Sequence, residues 1–192
     1  MGVDVELLAE SARSGVKFLR LYRWDPPTLS LGRNQPITAI AHDLPIVRRP
    51  TGGKAVWHEY EVTYAVAAPI AMFGSLRNAY CQIHTRLAEA LRSLRVDATL
   101  APYRPTVRPS DGPTSCFAAP AGGEILVNGR KLVGSAQVRR GDAFLQHGSI
   151  LLDGSQDRVA GGTAETTLAL VLGRSVTFEE VTRAVVANWG GS

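Results

Sequence analysis

Asn128-Gly129 constrains the fold of this 192-residue chain more than any other dipeptide in it. It stands between Glu124 to Val127 and Arg130 to Val138, two runs with strand-like patterning. A tight two-residue hairpin turn needs positive φ at both central positions, which Asn and Gly tolerate best. The pair therefore predicts an antiparallel hairpin. Strands joined this way argue against a doubly wound parallel sheet, whose strands need long crossovers.

The other segments extend that reading. Residues 3–13 have the pattern of a short amphipathic helix, and Val16 to Trp24 alternates apolar and basic residues as a strand does. Thr28 to Leu31 predicts a short strand after the turn Trp24-Asp25-Pro26-Pro27. Pro45 to Arg49 runs into the turn Pro50-Thr51-Gly52-Gly53, and Ala55 to Ala68 reads as one long strand. Apolar residues at Leu76, Tyr80, Ile83, Leu87, Leu91 and Leu94 give a helical stripe over Leu76 to Val96. Asp97 to Tyr103 and Ala143 to Leu152 read as strands. Thr166 to Leu172 before Gly173 predicts a short capped helix. Thr177-Phe178-Glu179-Glu180 is a capping box that opens a last helix to about Trp189. Helices and hairpin-joined strands are interspersed, so the expected class is α+β, one domain over 1–192 with a mixed sheet.

Composition excludes several classes. No apolar run approaches the ~18 residues of a membrane span. The N-terminus is acidic where a signal peptide is basic, so the chain is expected to be cytoplasmic. Two cysteines do not make a disulfide framework or a structural zinc site, and the four His lack ligand spacing, so no metal is expected. The net charge of +4 comes from scattered basic residues with few aromatics among them, which speaks against nucleic acid.

Cys116 and Lys131 are the candidates for chemistry. Cys116 lies in a stretch rich in Pro, Gly and Ser, and a loop thiol with a cation folded back toward it can ionise near neutrality. Lys131 is one of three lysines beside eighteen arginines, which marks its position. Three segments could surround them. In Arg48-Arg49-Pro50-Thr51-Gly52-Gly53-Lys54-Ala55-Val56-Trp57-His58, adjacent glycines can turn N–H groups inward on an anion or a polarised carbonyl. The same residues also read as a plain hairpin turn with surface arginines. In Gly134-Ser135-Ala136-Gln137 the small residues permit close approach of a ligand or simply of another strand. His147-Gly148 and His58 could contact substrate or be satisfied strand histidines. His84 and Cys81, inside the long helical stripe, read as structural.

Taken together, RRPTGGKAVWH (48–58), NGRKLVGSAQ (128–137) and QHGSILL (146–152) resemble the biotin/lipoate protein ligase and octanoyltransferase superfamily. The Ser115-Cys116-Phe117 segment upstream of Lys131 is similar to its single-domain octanoyltransferases. Two features depart from the family pattern: Lys54 stands where relatives usually carry Gly or Arg, and the chain opens on its first helix where relatives usually have a strand. The resemblance implies a core like that of biotin synthetases and class II tRNA synthetases. It implies octanoyl transfer from octanoyl-acyl carrier protein to a lysine of a lipoyl domain, as in 2-oxoacid dehydrogenase E2 or the glycine cleavage H protein. Cys116 would carry the acyl group as a thioester, Lys131 would tune its thiol, and no cofactor would be needed. Arg49, Gly52, Gly53, Lys54, Ala55, His58, Gly134, Ser135, Ala136, Gln137, His147 and Gly148 would line the substrate site. The alternative is an ATP- and Mg-dependent lipoate–protein ligase domain needing a separate accessory chain. From another class, a non-enzymatic acyl-binding relative is opposed by the presence of both Cys116 and Lys131.

Overall fold

The computed structural model describes residues 1–37, 45–102, 122–159 and 165–190. Helix α1 (Gly2–Ser14) ends at Gly15 and leads into β1 (Phe18–Tyr22). Next come β2 (Thr28–Leu31), β3 (Ile46–Arg48), β4 (Val56–His58) and β5 (Glu61–Pro69). Helix α2 (Leu76–Ser93) follows, capped by the Ser75 side chain on Asn78 N–H. Strands β6 (Thr99–Leu100), β7 (Ile125–Val127), β8 (Arg130–Arg140) and β9 (Ala143–Leu151) come next, then α3 (Leu168–Leu172) and α4 (Phe178–Trp189).

The strands form two sheets. Six pair antiparallel in the order β1-β5-β9-β8-β7-β6, and three form a small sheet, β3-β2-β4. The mixed character sits in the small sheet, where β2 is parallel to β3 and antiparallel to β4. The class is α+β. The predicted hairpin is present between β7 and β8, with Asn128 at φ 50° and Gly129 at φ 73°. Thr177 caps α4 by accepting from Glu180 N–H, while the Glu180 carboxylate turns to Arg174 instead of completing the box.

Two expectations need correction. The single strand expected over Ala55 to Ala68 is two strands in different sheets, broken at Glu59 and Tyr60. Both halves are buried, and the polar stretch His58-Glu59-Tyr60-Glu61 at the junction also fits the alternation of one longer strand. The Gly-rich segment is not a hairpin turn either. It carries the chain from β3 to β4, which both pair with β2 and not with each other.

The strands' two-residue alternation separates the two faces of the large sheet. Val62, Tyr64, Val66, Val133, Phe144 and Ile150 point into the main core beneath α2 and α4. Ala65, Ala67, Ala143 and Leu145 face the other way, against Leu8 of α1. On that second face also lie Glu61, Thr63, Gly134, Ala136, His147 and Ser149. The small sheet covers this region.

Candidate active site

A narrow, partly open cavity lies between the two sheets. The small sheet and its Gly-rich connection supply Ser30, Arg49, Val56 and His58. The large sheet supplies Thr63, Gly134, Ser135, Ala136, His147, Gly148 and Ser149, and Met1 reaches in from α1. Of the sequence-predicted residues, Arg49, His58, Gly134, Ser135, Ala136, His147 and Gly148 are brought together here. Gly52, Gly53 and Lys54 stand on the connecting loop beside it. Ala55 packs in a separate core with Leu29, Leu31 and Trp57, and Gln137 bonds to the Leu76 carbonyl and to Gln146. Cys116 lies outside the described residues.

The Gly-rich loop is held from within by Arg49. Its guanidinium, 5% exposed, donates to the Ser30 carbonyl at 3.0 Å, the Ser30 hydroxyl at 2.9 Å, the Gly52 carbonyl at 3.2 and 3.3 Å, and the Lys54 carbonyl. Arg48 fastens the neighbouring turn through the carbonyls of Gly32, Arg33 and Gln35. The floor requires glycine at 148. A Cβ there would stand 2.3 Å from the Gly134 carbonyl oxygen and 2.5 Å from Ser135 Oγ.

Three buried histidines stand at or behind the cavity, and the donor chemistry fixes one tautomer for all of them. His84 Nδ1 lies 2.6 Å from the Gly123 carbonyl, which only accepts, so Nδ1 carries the proton. Its Nε2 then accepts from the Ser135 hydroxyl at 2.8 Å. His58 Nδ1 donates to Glu61 at 2.7 Å, and its Nε2 meets the Ser30 hydroxyl at 2.6 Å. Arg49 can only donate, so the Ser30 proton is free to point at His58. His147 Nδ1 faces Asp4 at 3.4 Å, and its Nε2 meets the Thr51 hydroxyl at 2.6 Å. Burial pushes His84 down to about 4 and lowers His147 as well, even with Asp4 opposing the shift for His147. Burial alone would raise the Asp4 carboxyl. Hydrogen bonds from His147, Arg20 and Tyr22 outweigh it and hold the group below the usual carboxylate value.

Lys131 is 2% exposed on β8, and its Nζ lies 2.6 Å from the Glu124 carboxylate, itself 3% exposed. The pair sits behind the cavity wall, where Lys131 acts on His84 and Glu124 on Tyr64. Tyr64 bonds Ser135 at 2.6 Å, so the pair acts electrostatically on groups that are bonded to the cavity lining. Among the described residues no group of three His, Cys, Asp or Glu is placed to hold a metal ion.

A family model for the lipoyl protein ligase A/B catalytic domain matches residues 1–189. The chain belongs to the lipoyl protein ligase A/B catalytic domain family. Two of its similar relatives are named octanoyltransferase LipM. That of Carboxydothermus hydrogenoformans is 39% identical over 170 residues, covering 83% of this chain and 62% of the relative. That of Moorella thermoacetica is 42% identical over 164 residues, covering 79% and 60%. The chain thus spans about three fifths of the length of these relatives. Among solved structures, a lipoate-protein ligase A bound with ATP superposes with TM-score 0.78 at 19% identity, covering 97% of this chain and 76% of that one. A biotin protein ligase from Aquifex aeolicus gives TM-score 0.50 at 14% identity, covering 68% and 51%. The family fold expected from the sequence is therefore the one observed.

Sequence reasoning passed over three members of the site. Asp4, Ser30 and His84 each sit in an element whose pattern was already explained by packing. Their signal lies in pairing across the fold, such as Asp4 with His147, which are 143 residues apart.

Proposed function

We propose that this chain transfers an octanoyl group from octanoyl-acyl carrier protein to a lysine of a lipoyl domain, through a thioester on Cys116. The observation that carries this reading is identity of about 40%, across some four fifths of the chain, to proteins named octanoyltransferase LipM. The likeness to the ATP-bound ligase is one of fold alone. A thioester donor already carries its activation, so the transfer runs without ATP.

In the first half-reaction the Cys116 thiolate attacks the donor thioester and expels the carrier's sulfur as a thiolate. In the second, the lysine amine attacks the S-octanoyl group and releases Cys116. The acyl chain lies in the cavity between the sheets, against Val56, Gly134 and Ala136. Lys131 supplies the positive charge that favours the Cys116 thiolate. Its Glu124 partner offsets part of that field, so the rise in thiolate fraction at pH 7 is about tenfold and not the full effect of a lone ammonium.

Intact-mass spectrometry after mixing with octanoyl-acyl carrier protein tests the reading. One hydroxylamine-sensitive octanoyl adduct is expected, absent in Cys116→Ala and absent from Cys81. Pyrophosphate release with free lipoate, and no transfer from the carrier protein, would favour the ligase alternative.

A further inference from the structure

Ser30, His58 and Glu61 form a continuous chain that ends in the cavity. Ser30 Oγ is 2.6 Å from His58 Nε2, and His58 Nδ1 is 2.7 Å from Glu61 Oε1. All three residues are at most 5% exposed, and Ser30 and His58 both line the cavity. Trp24 stacks on the imidazole at 4.5 Å between ring centroids and fixes its plane. Glu61 Oε1 also accepts from Ser149 and Thr63, while its Oε2 is buried with no hydrogen-bond partner among the described residues.

The other two histidines are unsuited to holding a proton. His84 backs onto a carbonyl, and His147 onto a carboxylate already bonded by Arg20 and Tyr22. Behind His58 stands a carboxylate that has no Arg or Lys ion-pair partner among the described residues. The charged and titratable groups facing His58 are Glu61 from β5, Arg49 through Ser30, and His147 from β9. Arg49 donates to the Ser30 oxygen, so it favours the moment at which that oxygen gives up its proton.

We propose that His58 accepts the proton of the incoming lysine amine through Ser30, and that Glu61 holds the imidazolium so formed. This inference rests on the octanoyl-transfer reading. The amine nitrogen forms a bond to the thioester carbon. It passes a proton to Ser30 Oγ as the Ser30 proton moves to His58 Nε2. The carbon–sulfur bond then breaks, the amide is released, and His58 returns the proton along the same path to the departing thiolate. No further reactant is required.

The test separates the two half-reactions by rapid quench and intact mass. Charging of the enzyme by octanoyl-acyl carrier protein needs no base at Ser30, so in Ser30→Ala and His58→Ala charging should slow far less than transfer. Transfer to a lipoyl domain should fall about 10²- to 10⁴-fold in His58→Ala, the usual range for loss of a general base. Added imidazole should restore transfer in that variant by about tenfold, which a purely structural defect would not allow. Ser30→Ala removes one oxygen and keeps the imidazole, so it carries the test if His58→Ala fails to fold. Its transfer step should also slow by at least about tenfold. Equal slowing of both half-reactions in folded His58→Ala, absence of imidazole rescue, or wild-type transfer by Ser30→Ala would each overturn the proposal. A wild-type enzyme that never becomes charged would instead remove the octanoyl-transfer reading on which it stands.

Discussion

Gly32→Ala should disable the site without touching any cavity-lining residue. Gly32 follows β2 and backs onto the Gly-rich loop. A Cβ built there stands 1.8 Å from the Gly53 carbonyl oxygen and 2.8 Å from its carbon. Ordinary contact begins near 3.4 Å, so the loop or the strand must move by roughly 1.6 Å. The obstacle is backbone, which cannot swing aside as a side chain does. Arg49 and Arg48 resist the movement, because they bind the Gly52 and Lys54 carbonyls on one side and the Gly32 carbonyl on the other. Overpacking of this size costs about 1–3 kcal/mol. A displacement of about 1 Å at a positioning element can slow turnover about 10²-fold. The variant should therefore lose about 1–3 kcal/mol in urea denaturation and about two orders of magnitude in octanoyl transfer, with its circular dichroism unchanged. Wild-type stability and wild-type transfer together would show that Gly32 and the loop are not in contact, and the account of the loop would fail.

Other outcomes follow from the buried charges. His84 falls from 6.5 to about 4 on folding, so the folded state binds fewer protons than the unfolded chain between those values. Its contribution is complete above pH 6.5 and is lost as pH falls toward 4, up to about 3 kcal/mol at 1.36 kcal/mol per unit. Denaturation midpoints at pH 7 and pH 4.5 should show the drop, and His84→Asn should flatten it. Lys131→Met leaves the Glu124 carboxylate buried without its ammonium, which should destabilise by about 3–5 kcal/mol. A Lys131→Met/Glu124→Leu double variant should recover much of that in the same denaturation assay. Lys131→Ala should slow iodoacetamide alkylation of Cys116 about tenfold at pH 7 and hardly at all at pH 9.5, where the thiol ionises unaided. Equal rates at both pH values would remove Lys131 from thiol activation.

The sequence made the class and most elements legible because their signals are local. The Asn-Gly turn, the helical stripe of α2 and the Thr177 cap act within one element, and each appears where expected. The split between β4 and β5 was hidden because each strand is buried in its own sheet. The candidate site was half legible. Small residues at Gly134, Ser135 and Gly148 and histidines at 58 and 147 are conspicuous in a strand. Asp4 looks like any first-turn acid of a helix, and His84 like a polar residue on a long helix. Only the folded contacts reveal that one braces His147 and the other braces Ser135.

The alternation of β9 also sets what a folding error would cost. His147 and Ser149 face the small sheet, while Gln146, Gly148 and Ile150 face the main core. A slip of one residue against β5 and β8 would exchange these sets. An imidazole and a hydroxyl would enter the core beneath α2 without Thr51 or Glu61 to meet them, and Ile150 would enter the polar cavity. Gly148 would leave the one place where the Gly134 carbonyl comes within 2.3 Å of a Cβ position, and a bulkier neighbour would collide there. The residues that line the cavity therefore also act as alignment marks for the sheet. A mutation that blunts them is expected to loosen strand register in the nascent chain, so soluble yield would fall alongside activity.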